Sequence, residues 1–307
     1  MSGGKARSRT GGLIAVALVS FAAIAEEQQM PVALLLECKC TVDGKSVAPA
    51  DMPKLLYPGQ TITCEGKPKI EYDRIIFPRP PAATCLPGNT IKVASPPPAF
   101  VAGARTPLGV FDNYVTGGRS KGAETSIYEP ADGGAVVSDR FTIRWTTKPD
   151  IGTFVAVLID PAGKEIARSG KLKGTDGTAD SEPFRRAILT SLGANPASGR
   201  FQLTFKLDEG GEQTSNFTVL TRAQESDLDR ELARIGDENS LFGHLERAGI
   251  FDKYRLYNDV AAEYDRALDQ APNSVALLRA AVGVDARIGD LERAHNYTVR
   301  TERAAQH

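Results

Sequence analysis

The sequence predicts a multidomain protein that is all-β in its first two thirds and all-α in its last third. All four cysteines fall in one window of short, β-patterned segments, and alternating apolar residues return between about 127 and 222. After 223, apolar residues instead recur every three or four positions, which is the period of a helix. With 307 residues, of which 41% are apolar and 24% charged, the chain is long enough for two or three globular domains.

Residues 1–25 have the three parts of a cleavable secretory signal. Basic residues precede an uncharged apolar run at 13–25, and Ala23 and Ala25 are small residues placed for cleavage after Ala25. The apolar run would make a helix of about 20 Å, short of the roughly 30 Å hydrocarbon core that a membrane anchor must cross. We therefore expect a periplasmic or secreted protein with no membrane insertion after cleavage. If the signal stays uncleaved, the same domains remain attached to the membrane.

The charge balance argues against nucleic acid as a partner. The formal net charge is −1, and removal of the leader's Lys5, Arg7 and Arg9 lowers it by three, to −4. A nucleic-acid surface needs a basic patch or stripe, and the sequence has none.

Residues 26–94 are expected to form a small cysteine-containing β-domain. In an oxidising compartment, Cys38, Cys40, Cys64 and Cys85 most simply make two disulfides. If residues 34–42 form one strand, Cys38 and Cys40 share a face, which favours pairing each of them with a distal cysteine, although the connectivity stays open. A four-thiolate zinc site is less favoured because such sites usually take paired cysteines from two knuckles. Redox chemistry is a further alternative.

Two turn-dominated stretches of this domain suggest a family. The sequences LLYPGQTITC at 55–64 and CLPGNTIKV at 85–93 resemble the FecR-type β-domains of bacterial envelope proteins. The resemblance implies a β-fold and a location in the cell envelope.

Residues 95–126 are expected to be a linker rather than part of a core. They contain a proline run at 96–98 and a glycine-rich stretch at 117–122, with brief apolar patches between. Prolines stiffen such a segment and glycines loosen it.

Residues 127–222 are expected to form a β-sandwich. Strands are predicted at 141–145 and 153–160, with a turn at 160–163, and a long hairpin is predicted to reverse at Gly210 and Gly211. Within the hairpin, Phe201, Leu203, Phe205 and Leu207 alternate as one buried face.

The order of features in this segment resembles bacterial immunoglobulin-like domains. Pro130 is followed by a strand ending in Trp145, the Asp160 turn and a final strand containing Phe217 and Val219. The segment lacks the inter-sheet cysteine pair of antibody domains, so its core must depend on packing. Trp145 continues the apolar face of its strand and is expected in that core rather than on an exposed sugar-stacking surface.

Residues 223–307 are expected to form helical hairpins. Ser226 is a candidate cap for a first helix, and Asn239 and Ser240 precede a second. Further helices are predicted at about 256–271, 275–288 and 291–305.

The small, aromatic and helix-ending residues of these hairpins resemble tetratricopeptide repeats. The residues that carry the resemblance are Gly249, Tyr264, Ala267, Pro272, Gly289 and Ala294. About two units are visible, and an independent array normally needs three or more. We therefore expect the helices to pack on the sandwich or on another protein.

No motif for catalysis, a cofactor or a metal ion appears in the sequence. His244, His295 and His307 lack placed partners, and the acidic loop with Asp176, Asp180 and Glu182 lacks EF-hand spacing and is expected to be a solvated turn. Phosphate-binding, dinucleotide-binding and serine-hydrolase signatures are missing as well. We expect a protein that is not an enzyme and carries no cofactor.

The function that these features favour is that of an exported adaptor or scaffold. Its helical and sandwich modules would bind another envelope or secreted protein, because stacked helices present concave binding surfaces. The alternative is a glycan- or peptide-binding module that uses the loops of the β-domains. An apolar patch on the helices would favour the first function, and an aromatic-lined groove on the sandwich the second. A deep pocket with paired carboxylates of raised pKa would favour an enzyme. The oligomeric state stays open.

Overall fold

Two small antiparallel sheets form the N-terminal domain in this computed structural model. The structure describes residues 30–305 except 75, 78, 82–87, 98–105, 117–124, 148–151, 175, 194–198 and 209. The expected signal and its cleavage site therefore lie outside the described residues, as do Cys85 and His307. The strands are β1 (Ala33–Glu37), β2 (Cys40–Val42), β3 (Lys45–Ser46), β4 (Lys54–Leu56), β5 (Thr61–Cys64), β6 (Lys69–Tyr72) and β7 (Thr90–Lys92). One sheet has the order β4-β1-β6, and the other has the order β3-β2-β5-β7.

The expectation of a single strand at 34–42 is wrong, because the chain changes sheets at Cys38 and Lys39. β1 pairs with β4 and β6, whereas β2 pairs with β3 and β5. The predicted turn at Asp43 and Gly44 is confirmed. Both residues have positive φ, 51° and 76°, as a two-residue hairpin turn requires.

Eight further strands form two sheets that share one core. They are β8 (Thr125–Glu129), β9 (Ala135–Val136), β10 (Ile143–Thr147), β11 (Thr153–Ile159), β12 (Glu165–Lys173), β13 (Asp176–Ala179), β14 (Arg200–Leu207) and β15 (Glu212–Val219). The orders are β13-β10-β8 and β12-β11-β14-β15-β9. Trp145 is only 2% exposed, and its ring centroid lies 5.4 Å from that of Phe154 and 5.7 Å from that of Phe205 on the facing sheet. Its predicted place in the core is confirmed.

Seven helices are present among the described residues. They are α1 (Pro107–Thr116), α2 (Glu182–Leu192), α3 (Arg222–Leu232), α4 (Leu241–Lys253), α5 (Tyr257–Gln270), α6 (Val275–Ile288) and α7 (Leu291–Ala304). The segment predicted to be all-β thus contains α2, whose Phe184 and Ile188 pack into the core between the two sheets. No helix in the described ranges combines the length and apolar character needed to span a membrane.

The helix caps are partly those expected from the sequence. Ser240 accepts a hydrogen bond from the backbone N–H of Gly243 and caps α4, as predicted. The expected cap at Ser226 is wrong, since Ser226 lies inside α3. The cap is Thr221, which forms a reciprocal capping box with Gln224. The capping residue, which satisfies the first free backbone donors of the helix, therefore lies five residues before Ser226.

The expected linker at 95–126 contains α1, and α1 packs between α4 and α6. Leu108 and Phe111 are buried in the core that the C-terminal helices form. Backbones approach closely here, because a Cβ added to Gly249 would lie 2.6 Å from Cα of Pro107. The helical unit is therefore discontinuous in sequence, with its first helix supplied by the segment before the two-sheet domain.

The same helix also contacts the N-terminal domain. The hydroxyl of Tyr57 donates a hydrogen bond of 3.1 Å to Asp112 of α1, and the backbone N–H of Leu108 donates to Asp73 over 3.4 Å. Leu34, in β1, belongs to the helical core. α1 thus bridges the first β-domain and the C-terminal helices.

Candidate binding site

A cleft of about 310 Å³ lies between the two-sheet domain and the C-terminal helices. One wall comes from β8, β9, β10 and the short 3-10 turn at Ser138–Arg140, and the other comes from α5 and the adjoining ends of α6 and α7. The cleft is polar, and its charged residues are Glu129, Arg140, Arg144, Asp259, Asp265, Asp290 and Arg293.

The wall from the two-sheet domain presents two arginines. Nη1 of Arg144 lies 3.9 Å from Oε2 of Glu129, and its guanidinium carbon lies 5.2 Å from the ring centroid of Tyr128. The ring offers its electron-rich face to the cation. The side chains of Arg140 and Arg144 are 52% and 48% exposed. Both guanidinium groups therefore keep donors that face solvent in the cleft.

The helical wall is built on a buried ion pair. Nη2 of Arg293 lies 2.6 Å from Oδ1 of Asp285, and its Nε lies 2.9 Å from Oδ2, so the contact is bidentate. Burial raises the pKa of Asp285 to about 7, while the hydrogen bonds from Arg293 lower it. Arg293 also contacts Asp265 at 3.2 Å. This network orients Arg293 and fixes α7 against α6.

Asp259 and Asn258, at the start of α5, connect the two walls. Nη1 of Arg140 lies 3.6 Å from Oδ1 of Asp259, and the side-chain amide of Asn258 donates a hydrogen bond of 2.8 Å to the carbonyl of Tyr128. Burial raises the pKa of Asp259, while the charge of Arg140 lowers it. The sheet side of the cleft therefore presents two arginines beside Glu129, and the helix side presents three aspartates beside Arg293.

The six residues that carry the repeat resemblance lie at helix contacts and helix ends. Gly249 faces α1, and Tyr264 is fully buried with its ring centroid 6.0 Å from that of Phe111. Ala267 and Ala294 are buried on α5 and α7.

The other two lie at turns. The carbonyl of Pro272, just after α5, accepts a hydrogen bond of 3.0 Å from Arg300. Gly289 ends α6 with a φ of 88°, in the left-handed region that favours glycine. None of the six lines the cleft.

The cysteines do not pair as we favoured. Cys38 and Cys40 form a disulfide with each other, with their Cα atoms 5.4 Å apart. Cys64 is also disulfide-bonded. The favoured pairing assumed an uninterrupted strand, and the change of sheets at Lys39 instead bends the chain so that the two nearby cysteines meet.

His244 and His295, and Asp180 and Glu182 of the acidic loop, do not line the cleft. His244 is buried, with Nδ1 2.8 Å from Oε2 of the buried Glu263, and His295 is exposed on α7. Asp180 accepts a hydrogen bond of 3.0 Å from the backbone N–H of Glu182 at the start of α2, and Glu182 forms ion pairs with two arginines of that helix. No cluster of potential metal ligands occurs within the described part of the chain.

Sequence reasoning missed the charged residues of the cleft. The available signal was the spacing of Asp285, Asp290 and Arg293 across the turn between two predicted helices, which brings opposite charges together. Nothing local to Arg140 or Arg144 indicates that they face a helix more than a hundred residues later in the chain. In the comparisons with known proteins, neither a family model nor a curated protein matches this sequence.

Proposed function

We propose that this protein is an exported adaptor that binds a charged polypeptide segment of another envelope or secreted protein in the cleft between its modules. The observation that carries the proposal is the pair of arginines, Arg140 and Arg144, on one wall of a cleft whose other wall carries Asp259, Asp265 and Asp290. A polypeptide that bears both signs of charge is complementary to such a surface.

The proposal includes an assignment of each domain to a protein family. We take the N-terminal domain as FecR-like, the two-sheet domain as immunoglobulin-like and the helices as tetratricopeptide-like. Support comes from the shared core around Trp145 and from the packing of consecutive helices in the pairs α4–α5 and α6–α7. The leader at 1–25 supports export to the periplasm or the medium.

The distribution of apolar side chains favours polar recognition. Among the residues that the structure describes, Leu189 on α2 is the one large hydrophobic side chain that is exposed, at 52%. An apolar patch on the helices, which would favour docking of a hydrophobic partner face, is therefore not seen in the described ranges. The buried position of Trp145 gives no support to a sugar-stacking surface.

Charge reversal in the cleft tests the proposal. Full-length wild-type protein and the variant Arg140→Glu/Arg144→Glu are crosslinked in the cell envelope and their captured partners compared. We expect the partners of the wild type to be lost from the double variant. Their retention would show that the cleft does not bind them.

A matched control is Arg186→Glu, which reverses an arginine that is 77% exposed on α2, outside the cleft. This variant should keep the same partners. Raising the salt concentration should weaken capture by the wild type, because exposed charges are screened.

A further inference from the structure

A second cavity, of about 630 Å³, lies where the first sheet meets the helices. Its walls come from the end of β1, the segment before β4, the edge strand β6, the start of α4 and the end of α5. The lining includes Leu36, Cys38, Met52, Pro53, Lys69 and Leu241. The volume lies within the range of about 300–1,000 Å³ that is usual for ligand sites.

The two residues of the Cys38–Cys40 disulfide differ in their access to this cavity. Cys38 is half-buried and lines the cavity, whereas Cys40 is only 4% exposed and belongs to the core of the N-terminal domain. A thiolate must reach a sulfur atom to attack it, so the cavity directs attack to Cys38. Cys40 is then the leaving sulfur.

Because its two cysteines are so close in sequence, this disulfide should contribute little to the stability of the fold. It encloses only Lys39, and a disulfide that closes a short loop restricts the unfolded chain less than one that closes a long loop. Opening it leaves β1 and β2 paired with their own neighbouring strands in two different sheets. The fold can therefore keep both sheets when the bond is exchanged.

The register between β2 and β5 identifies the competing partner. Cys40 lies directly opposite Cys64. The flanking backbone hydrogen bonds run from Asp43 to Thr61 and from Glu65 to Lys39, which makes Cys40 and Cys64 a non-hydrogen-bonded pair whose side chains approach closely. A Cys40–Cys64 bond is thus the alternative that an experiment must exclude.

We propose that the Cys38–Cys40 disulfide is a thiol–disulfide exchange site for a cysteine-containing polypeptide segment seated in this cavity. A thiolate of the segment attacks Sγ of Cys38, the Cys38–Cys40 bond breaks, and the electron pair leaves on Sγ of Cys40, which takes up a proton from water. A second thiolate of the segment attacks the first segment sulfur, and Cys38 leaves as a thiolate. The segment is oxidised by two electrons to a disulfide, and the protein disulfide is reduced by two electrons to a dithiol.

The test treats the full chain with one of two thiols in separate reactions. The first is a dithiol peptide with apolar residues beside its cysteines, and the second is reduced glutathione, a small thiol. After acid quenching and alkylation, peptide mapping identifies the modified cysteines. We expect Cys38 and Cys40 to be linked to each other before treatment, one peptide to be oxidised per chain, and Cys64 to remain disulfide-bonded. A Cys40–Cys64 link in the untreated protein, or reduction at Cys64 first, would overturn the proposal.

Two single variants test which sulfur is attacked. The Cys38 thiol of Cys40→Ser should react with an aromatic disulfide reagent at least tenfold faster than the Cys40 thiol of Cys38→Ser. Circular dichroism checks that both variants are folded. Equal rates in two folded variants would contradict attack from the cavity.

A third variant tests whether the cavity accepts a polypeptide segment or only a small thiol. Leu241→Trp adds bulk to the cavity at the start of α4 and leaves both cysteines in place. It should slow the reaction with the dithiol peptide severalfold more than the reaction with glutathione, because the larger peptide needs more of the cavity. If the folded variant slows the two reactions to the same extent, or slows neither of them, the peptide segment does not enter this cavity.

Discussion

The phenol of Tyr114 donates a hydrogen bond of 3.0 Å to Oδ1 of Asp252 and so links α1 to α4 across 138 residues of sequence. Burial raises the pKa of Tyr114 well above its usual range, and the charge of Asp252 raises it further. The phenol therefore stays protonated and acts as a donor. This contact ties the segment before the two-sheet domain to the helices that follow that domain.

Replacing Tyr114 by Phe should destabilise the protein by about 1–2 kcal/mol, because the hydrogen bond to a buried carboxylate is lost while the ring packing is kept. Urea unfolding measures the change. Asn113→Ala, at an exposed position on the same helix, is the control and should change the free energy of unfolding by less than about 0.5 kcal/mol. A variant at Tyr114 as stable as the wild type would contradict the role of this contact.

The segment 223–307 expressed alone should be less stable than in the full chain. It lacks α1, whose Leu108 and Phe111 are almost completely buried in the helical core. Removal of each such side chain costs about 2–5 kcal/mol. Hydrogen exchange on α4 and α6 measures the effect, and a segment that extends from 106 to 305 is the comparison. Equal protection in the isolated segment and the full chain would show that α1 is not needed.

Glu246 should make the protein less stable as the pH rises towards 7. Its side chain is buried on α4, and burial raises its pKa to about 7, in spite of the lowering effect of Arg74. The folded state therefore holds a proton that the unfolded state releases above about pH 4.5, so stability falls between pH 4.5 and 7 and then levels off.

The variant Glu246→Gln tests this titration. Its free energy of unfolding should match that of the wild type near pH 4 and exceed it at pH 8 by about 1–3 kcal/mol, because the buried charge is removed. Thermal unfolding at the two pH values measures the difference. Glu212→Gln, at a side chain that is 58% exposed, should show no such pH-dependent gain. A gain that is equal at both pH values would refute the assignment.

Replacing Gly177 by Ala should destabilise the two-sheet domain. An added Cβ would lie 2.4 Å from Cζ2 of Trp145, so the indole or its strand must move. Overpacking of this kind costs about 1–3 kcal/mol. Since Trp145 is the single tryptophan, its fluorescence reports on this core directly. For Gly177→Ala we expect a lower midpoint of the unfolding transition and greater acrylamide quenching of the tryptophan fluorescence. Gly170→Ala, where the added Cβ meets open space, should change neither quantity.

Local features were the predictable part of this fold. The bounds predicted for a helix at 275–288 are those of α6, and the Asp43–Gly44 turn and the Ser240 cap were found where the sequence places them. Each depends on residues within a few positions of one another, through hydrogen bonds between near neighbours or through the helical period.

α1 was missed although its sequence contains a usable pattern. Pro107 stands at the first helical position, and Leu108, Phe111 and Val115 recur with helical spacing. The glycine-rich and proline-rich neighbours of this ten-residue segment indicated a linker. A short helix gains its stability from packing rather than propensity, and α4 and α6, between which α1 packs, lie more than a hundred residues away.

By itself, the sequence determined the alternating face that buries Phe201, Leu203 and Phe205, and the helical period of the C-terminal third. Only the tertiary structure decided the pairing of Cys38 with Cys40, the insertion of α1 between α4 and α6, and the meeting of Arg140 with Asp259. The physical reason is the range of the interactions. Periodicity and capping act between neighbours in sequence, whereas a cleft or a core contact exists only once distant segments have packed together.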